Sequence, residues 1–275
     1  MISYNRIGDK DMTLQKETGQ PVRIAFFDID GTLLPFRQTQ LSPGHAEALR
    51  QLQKQGILVV AASGRPPYII PDFGFDARIA FNGALAVTKD GEIAYENAIE
   101  QPLLAKVYRF LSDHGIGMIL AGETSMGADR YDQKLQDYLS LASQKVVPDP
   151  GFMVRLSQPC LQVIAAVPGE LREQMQREIP ELEIFGWHPL GVDITSSGVS
   201  KGEALKAVCS WYGIPISQSI AFGDAMNDKE LLEAAGIAVA MGNAQEDLKQ
   251  IADTVTEPVE EDGIWTELKR RNLVS

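Results

Sequence analysis

Cysteine is scarce. The 275 residues hold two, Cys160 and Cys209, far apart and outside any CxxC pairing. Small core thiols in a reducing, cytoplasmic setting are the expectation. Histidine is also rare, and His45, His114 and His188 are scattered at no ligand spacing, which argues against a zinc site. No apolar run approaches the roughly 20 residues of a membrane span, so no membrane partner is expected. Residues 1–20, MISYNRIGDKDMTLQKETGQ, lack the apolar segment of a secretory signal and read as a mobile leader. A basic surplus is missing as well: 25 Lys and Arg stand against 37 Asp and Glu, a net charge of −12. That argues against a nucleic-acid binder, which needs a basic face. It leaves room for a small anionic substrate held by a few local cations.

What is present is an ordinary globular composition, 44% apolar and 23% charged, at a length of one or two domains. Buried-strand runs VRIAFF, ILVVAA, RIAF, SIAF and IAVAM alternate with helical patterns. The first helix, SPGHAEALRQLQKQG, has Ser42 as N-cap, Pro43 at its first position and Gly56 as its stop. Asn243 and Glu246 have the spacing of a capping box at the start of NAQEDLKQIA. The rhythm predicts an α/β fold, a doubly wound, Rossmann-like parallel sheet with helices on both faces. Residues 85–190 break it with short alternating pieces (EIAYE, LQVIAAV, LEIF) between the helical patterns LLAKVYRFLSDHG and ELREQMQREI. They read as an inserted α/β domain dividing a core of 21–84 and 191–275.

Asp28, Ser63, Asn82 and Asp224 each stand at or just after the end of a predicted core strand. In an open parallel sheet those ends line the crevice where ligands bind. In DIDGT, strand alternation sends Asp28 and Asp30 to the same side, where two carboxylates repel unless a cation intervenes. Such a pair suits a nucleophile, Asp28, beside a general acid and base, Asp30. DxDG also occurs in Asx turns and calcium loops, but the buried strand before it excludes an EF-hand. In GDAMND, Asp224 follows a strand and Asp228 lies four residues on. Asp28, Asp224 and the backbone carbonyl of Asp30 form a donor set for Mg²⁺, with Asp228 behind it orienting a water or a neighbouring side chain. Ser63 and Gly64 of SGR offer a hydroxyl and an amide to phosphate. Ser200 and Glu203 make a capping box that sets Lys201 at the first position of a helix. A cation there opposes the helix dipole, and a bound anion would resolve the conflict. A lysine reaching into water is the plainer alternative.

DIDGTL, ASGR, SKGEAL and GDAMND, in this order, resemble the four motifs of the haloacid dehalogenase-like (HAD) phosphohydrolases. FNGA at Phe81–Ala84 and the tail AVAMGNAQEDLKQIADTVTEPVEEDGI are similar to the Cof-type (HAD-IIB) branch, and the likeness covers residues 22 to 268. The resemblance implies a Rossmann-like core with an inserted C2B-type cap, Mg²⁺ as cofactor, and hydrolysis of small phosphorylated metabolites through an aspartyl-phosphate. It makes Asp28 the nucleophile and Asp30 the acid/base, with Ser63, Gly64 and Lys201 on the phosphate. It puts Asp28, Asp30 and Asp224 on the metal, with Asn227 and Asn82 facing substrate. Ser63 stands where many relatives have threonine, and either hydroxyl serves. A phosphomutase on the same scaffold and a non-catalytic phosphometabolite binder are the alternatives.

Overall fold

The computed structural model describes residues 21–140 and 144–275. The leader expected at 1–20 lies outside them, as do the side chains of Trp187 and His188. The chain begins with β1 (Ile24–Asp28), α1 (Pro43–Lys54), β2 (Leu58–Ala62), β3 (Ala77–Ala80), β4 (Leu85–Thr88) and β5 (Ile93–Glu96). Then come α2 (Gln101–Asp113), β6 (Met118–Ala121), β7 (Met126–Ala128), α3 (Gln133–Ser140), α4 (Phe152–Arg155), β8 (Gln162–Ala165), α5 (Gly169–Glu178), β9 (Leu182–His188) and β10 (Gly191–Ser196). It closes with α6 (Lys201–Trp211), β11 (Ser219–Gly223), α7 (Lys229–Ala234), β12 (Ile237–Ala240), α8 (Glu246–Ile251), β13 (Thr254–Val255) and α9 (Gly263–Arg270).

Two sheets result. The first has the order β13-β12-β11-β1-β2-β3-β4-β5, parallel from β13 to β3 and antiparallel at β4 and β5. The second is antiparallel, in the order β7-β6-β8-β10-β9. The strand period of two explains how the first sheet is covered. Ala25 and Phe27 of β1 pack with Ala48, Leu49 and Leu52 of α1 and Ile264 and Leu268 of α9. Ile24 and Phe26 turn the other way, onto Ala204, Leu205 and Val208 of α6 and Leu231 and Leu232 of α7. Strands buried on both faces need the uninterrupted apolar runs seen in the sequence. Phe27 stacks on Phe222 of β11, ring centroids 5.1 Å apart. The second sheet has its own two layers, α2 and α5 on one face and α3 on the other.

Three expectations change. Leu85–Thr88 and Ile93–Glu96 were assigned to the insert, but they hydrogen-bond to the first sheet as its last two strands. Gly191–Ser196 was assigned to the core, but it pairs with β8 and β9 in the second sheet. A short alternating strand looks alike in either sheet, so composition did not reveal the partner. The capping box at Asn243 is also absent: α8 starts after Gln245, with no side-chain cap. The Asn243 side chain instead donates to the Gly31 carbonyl at 2.8 Å and accepts from the Val259 amide at 2.9 Å. The first helix stands as expected, with the Ser42 hydroxyl accepting from the His45 amide at 3.0 Å.

Leu205 is fully buried and anchors α6 to the first sheet. Leu205→Ala should therefore lower unfolding free energy by about 2–5 kcal/mol. Urea titration followed by circular dichroism measures it, and a loss below about 1 kcal/mol would contradict this packing.

Candidate active site

Strands β11, β1, β2 and β3 are neighbours in the first sheet. Their carboxyl ends therefore form one continuous edge carrying Asp224, Asp28, Ser63 and Asn82 in spatial order. All four are buried. The convergence expected from the sequence has this simple geometric cause.

Lys201 enters that edge from α6. The Ser200 hydroxyl caps the helix, accepting from the Glu203 amide at 3.1 Å. Its Nζ lies 2.6 Å from Asp28 Oδ1 and 2.6 Å from Asp228 Oδ1. The side chain is 0% exposed, so the lysine reaching into water is overturned. Two carboxylates, not the solvent, answer the dipole conflict at the helix start. The seat is formed by the corner Phe81–Gly83, where a Cβ on Gly83 (φ +109°) would strike the Ser200 carbonyl oxygen. Phe81 and Asn82 also have positive φ, 53° and 54°, a conformation costing about 1–3 kcal/mol per residue.

Burial pushes the Asp28 carboxyl well above its usual range, and repulsion from Asp228 and then Asp224 adds to this, with Lys201 opposing them. Burial also pushes Asp224 up to about 7, reinforced by Asp228 and countered by a hydrogen bond from the Thr32 hydroxyl at 3.1 Å. Burial alone would lower Lys201, but Asp228 and Asp28 outweigh it and raise the ammonium. Carboxyl oxygens of Asp28, Asp224 and Asp228 lie within 4.8 Å of one another. A buried all-oxygen set with this much unbalanced acid fits a hard divalent cation. Asp228 is held in place from behind, its Oδ2 accepting from the Asp224 amide at 3.0 Å and the Ala225 amide at 3.1 Å.

Asp30 goes elsewhere. Its carboxylate takes both arms of Arg65, Nε at 2.8 Å and Nη2 at 2.6 Å. Such a fork is geometrically selective. The strand ends at Asp28, and Gly31 (φ +90°) turns the chain where a Cβ would collide with the Asp224 carboxylate. The repulsion expected between Asp28 and Asp30 therefore falls mainly between Asp28, Asp228 and Asp224. The Ser63 hydroxyl accepts from the Arg65 amide at 3.2 Å, and a side chain on Gly64 would meet Asn82 Oδ1 at 2.9 Å. Asn227 Nδ2 donates to Asn82 Oδ1 at 3.1 Å, so the two asparagines meet each other in the crevice.

A family model described as haloacid dehalogenase-like hydrolase matches residues 25–268. The chain belongs to that family. YkrA of Bacillus subtilis (strain 168) is 30% identical over 258 residues, 92% of this hydrolase and 98% of its own length. BT1666 of Bacteroides thetaiotaomicron, presented among phosphatases of the haloalkanoate superfamily, superposes with a TM-score of 0.85 at 28% identity. The superposition covers 95% of this chain and 99% of that one. BT4131, a subclass IIB sugar phosphatase, gives 0.83 at 29% identity over 92% and 100%. Among the hydrolase's described residues, no helix is long and apolar enough to cross a membrane.

Two residues that hold the site, Thr32 and Asn243, are not among those expected to form it. Thr32 follows the paired aspartates of DIDGT, and its hydroxyl bonds Asp224. Asn243 lies three residues past the end of β12, near enough to the strand ends for the same rule, applied more widely, to include it.

Replacing Lys201 by Met keeps the side chain's bulk and leaves Asp28 and Asp228 buried without their cation. The expected cost is about 3–5 kcal/mol at neutral pH, read by urea unfolding. A neutral outcome would show that the ammonium does not hold these carboxylates.

Proposed function

We infer that this hydrolase is a Mg²⁺-dependent phosphatase of the cytoplasm. Its substrates are phosphate monoesters of small metabolites, sugar phosphates or similar, and the reaction runs through an aspartyl-phosphate at Asp28. The observation that carries the reading is the buried Lys201 ammonium bound to Asp28 at the strand-end crevice, with Asp224 and Asp228 beside it. BT4131's description as a sugar phosphatase supports the substrate class. Cys160 and Cys209, both buried and unpaired, accord with a reducing compartment.

Asp28, Asp224 and the Asp30 carbonyl would hold Mg²⁺, with Asp228 supporting them. When bound, the ion supplies positive charge that offsets the carboxylates and draws phosphate oxygens toward them. Lys201 fixes the Asp28 carboxylate and presents charge to the transferring phosphoryl group, while Ser63 and the Gly64 amide receive its oxygens. An Asp28 oxygen attacks phosphorus in line as the bond to the leaving oxygen breaks. Asp30 delivers a proton to that oxygen, which requires exchanging an Arg65 contact for it. In the second half, Asp30 takes a proton from the water that attacks the Asp28 phosphoryl, releasing inorganic phosphate and freeing Asp28. Fixed charges do most of the work here, because they cost no reorganisation during reaction.

Phosphate release across a panel of phosphorylated metabolites, with Mg²⁺ and with excess chelator, tests the reading. Release should need the metal. A product that retains phosphate on a new position would point to the mutase. Asp28→Asn should lose at least about a thousandfold in kcat while keeping its circular dichroism spectrum. Turnover near wild type in that variant would remove Asp28 as nucleophile.

A further inference from the structure

His45 is the third residue of α1, and nothing in the mechanism above uses it. It is fully buried, and its Nδ1 lies 2.9 Å from the Leu33 carbonyl oxygen. A carbonyl only accepts, so Nδ1 carries the proton and Nε2 keeps its lone pair. Nε2 is buried as well and has no hydrogen-bond partner. Burial holds the imidazole below its usual range, with the Leu33 bond and then Asp262 opposing. An apolar side chain would fill this space without the cost of an unpaired ring nitrogen. The bond to Leu33 is therefore what sets His45 apart from a packing residue.

Leu33 belongs to the turn that leaves β1, and that turn is closed upon itself. The Gly31 amide donates to the Leu34 carbonyl at 2.7 Å, and the Leu34 amide to the Ile29 carbonyl at 2.8 Å. A bridge also pairs Asp30 with Leu34. So closed, the turn moves as a unit, and its bonds to other elements set its direction. Thr32 ties it to Asp224 after β11, and the Gly31 carbonyl ties it to Asn243 after β12. His45 ties it to α1. That helix is itself fastened at the same point. The Ser42 hydroxyl accepts from the His45 amide at 3.0 Å and donates to the Asp262 carboxylate at the start of α9. A Cβ on Gly44 would strike this carboxylate, so the start of α1 sits directly against it.

We propose that His45 is a positioning residue: by holding the Leu33 carbonyl from α1 it fixes the turn that carries Asp30. Without that bond the ties at Gly31 and Thr32 remain, the turn can rock about them, and Asp30 loses its alignment with the leaving oxygen. Such a loss has a chemical signature. A sugar or other alkyl oxygen needs a proton from the acid in order to leave, whereas a nitrophenolate leaves with little help. A misplaced Asp30 therefore shows as a dependence on the leaving group, which a general loss of folded protein does not produce. The consequence for turnover rests on the phosphatase reading; the bond from His45 to the turn does not.

The test uses the full chain and three substitutions. An asparagine amide reaches the place of Nδ1, a glutamine amide that of Nε2, and leucine fills the space and donates nothing. In nitrogen–proton spectra without ligand, His45→Leu and His45→Gln should move the backbone amide signals of Gly31 and Thr32. His45→Asn should leave them near wild type. With Mg²⁺, His45→Leu should lower kcat/KM about tenfold on the best alkyl phosphate of the panel and less than about threefold on p-nitrophenyl phosphate. His45→Asn should stay within about threefold of wild type on both. Equal losses on the two esters, asparagine no better than glutamine, or Gly31 and Thr32 signals unmoved by His45→Leu each overturn the proposal. If the leucine is not tolerated, His45→Gln takes its place with the same outcomes. If the nitrophenyl ester is refused, the signals and the contrast between asparagine and glutamine decide. If every compound is refused, the phosphatase reading falls, and the two amide signals alone decide the positioning role.

Discussion

Three carboxyl groups and one ammonium lie buried together at one sheet edge, and the ammonium is what lets them share it. Lys201 comes from α6, Asp28 from β1 and Asp228 from the turn after β11, so its two contacts bind three separate elements at one point. A buried ion pair of this kind contributes little net stability, because desolvation consumes most of the Coulomb gain. Its worth lies in specification: one ammonium faces the carboxyl groups of Asp28, Asp224 and Asp228. That imbalance is a demand for further positive charge, and an oxygen-only donor set narrows which ion meets it.

The neighbouring features follow from keeping that cluster buried and aligned. The corner at Phe81–Gly83 adopts an unfavourable backbone to let the start of α6 approach the sheet edge. Thr32 and Asn243 hold the turn after β1 from two sides, one through Asp224 and the other through the Gly31 carbonyl. Arg65 keeps Asp30 apart from the cluster, with a single pair of hydrogen bonds. Asp28 and Asp30 thus sit two residues apart in sequence with different partners.

The parts of this arrangement that depend on local pattern were legible in the sequence. Asp28, Ser63, Asn82 and Asp224 announced themselves as polar residues closing apolar runs, and the sheet order then placed those runs side by side. What was not legible depends on distant partners. Nothing near Lys201 in sequence tells that Asp28, 173 positions away, will enclose it. The same holds for β4 and β5, whose alternating residues suit either sheet until hydrogen-bond partners are known.

The insertion of the second sheet between β5 and α6 has a consequence for the order in which the molecule is made. Ile24 of β1 pairs with Leu58 on one side and Ser219 on the other. As a chain grows from its N-terminus, β1 gains its first neighbour early and then presents an open edge, apolar from Ile24 to Phe27, until the entire second sheet has been synthesised. Open apolar edges are where chains join their neighbours by mistake. Contacts this distant in sequence are also slow to close. The strand bearing Asp28 is therefore open on one side for much of synthesis and closed on both sides in the finished fold.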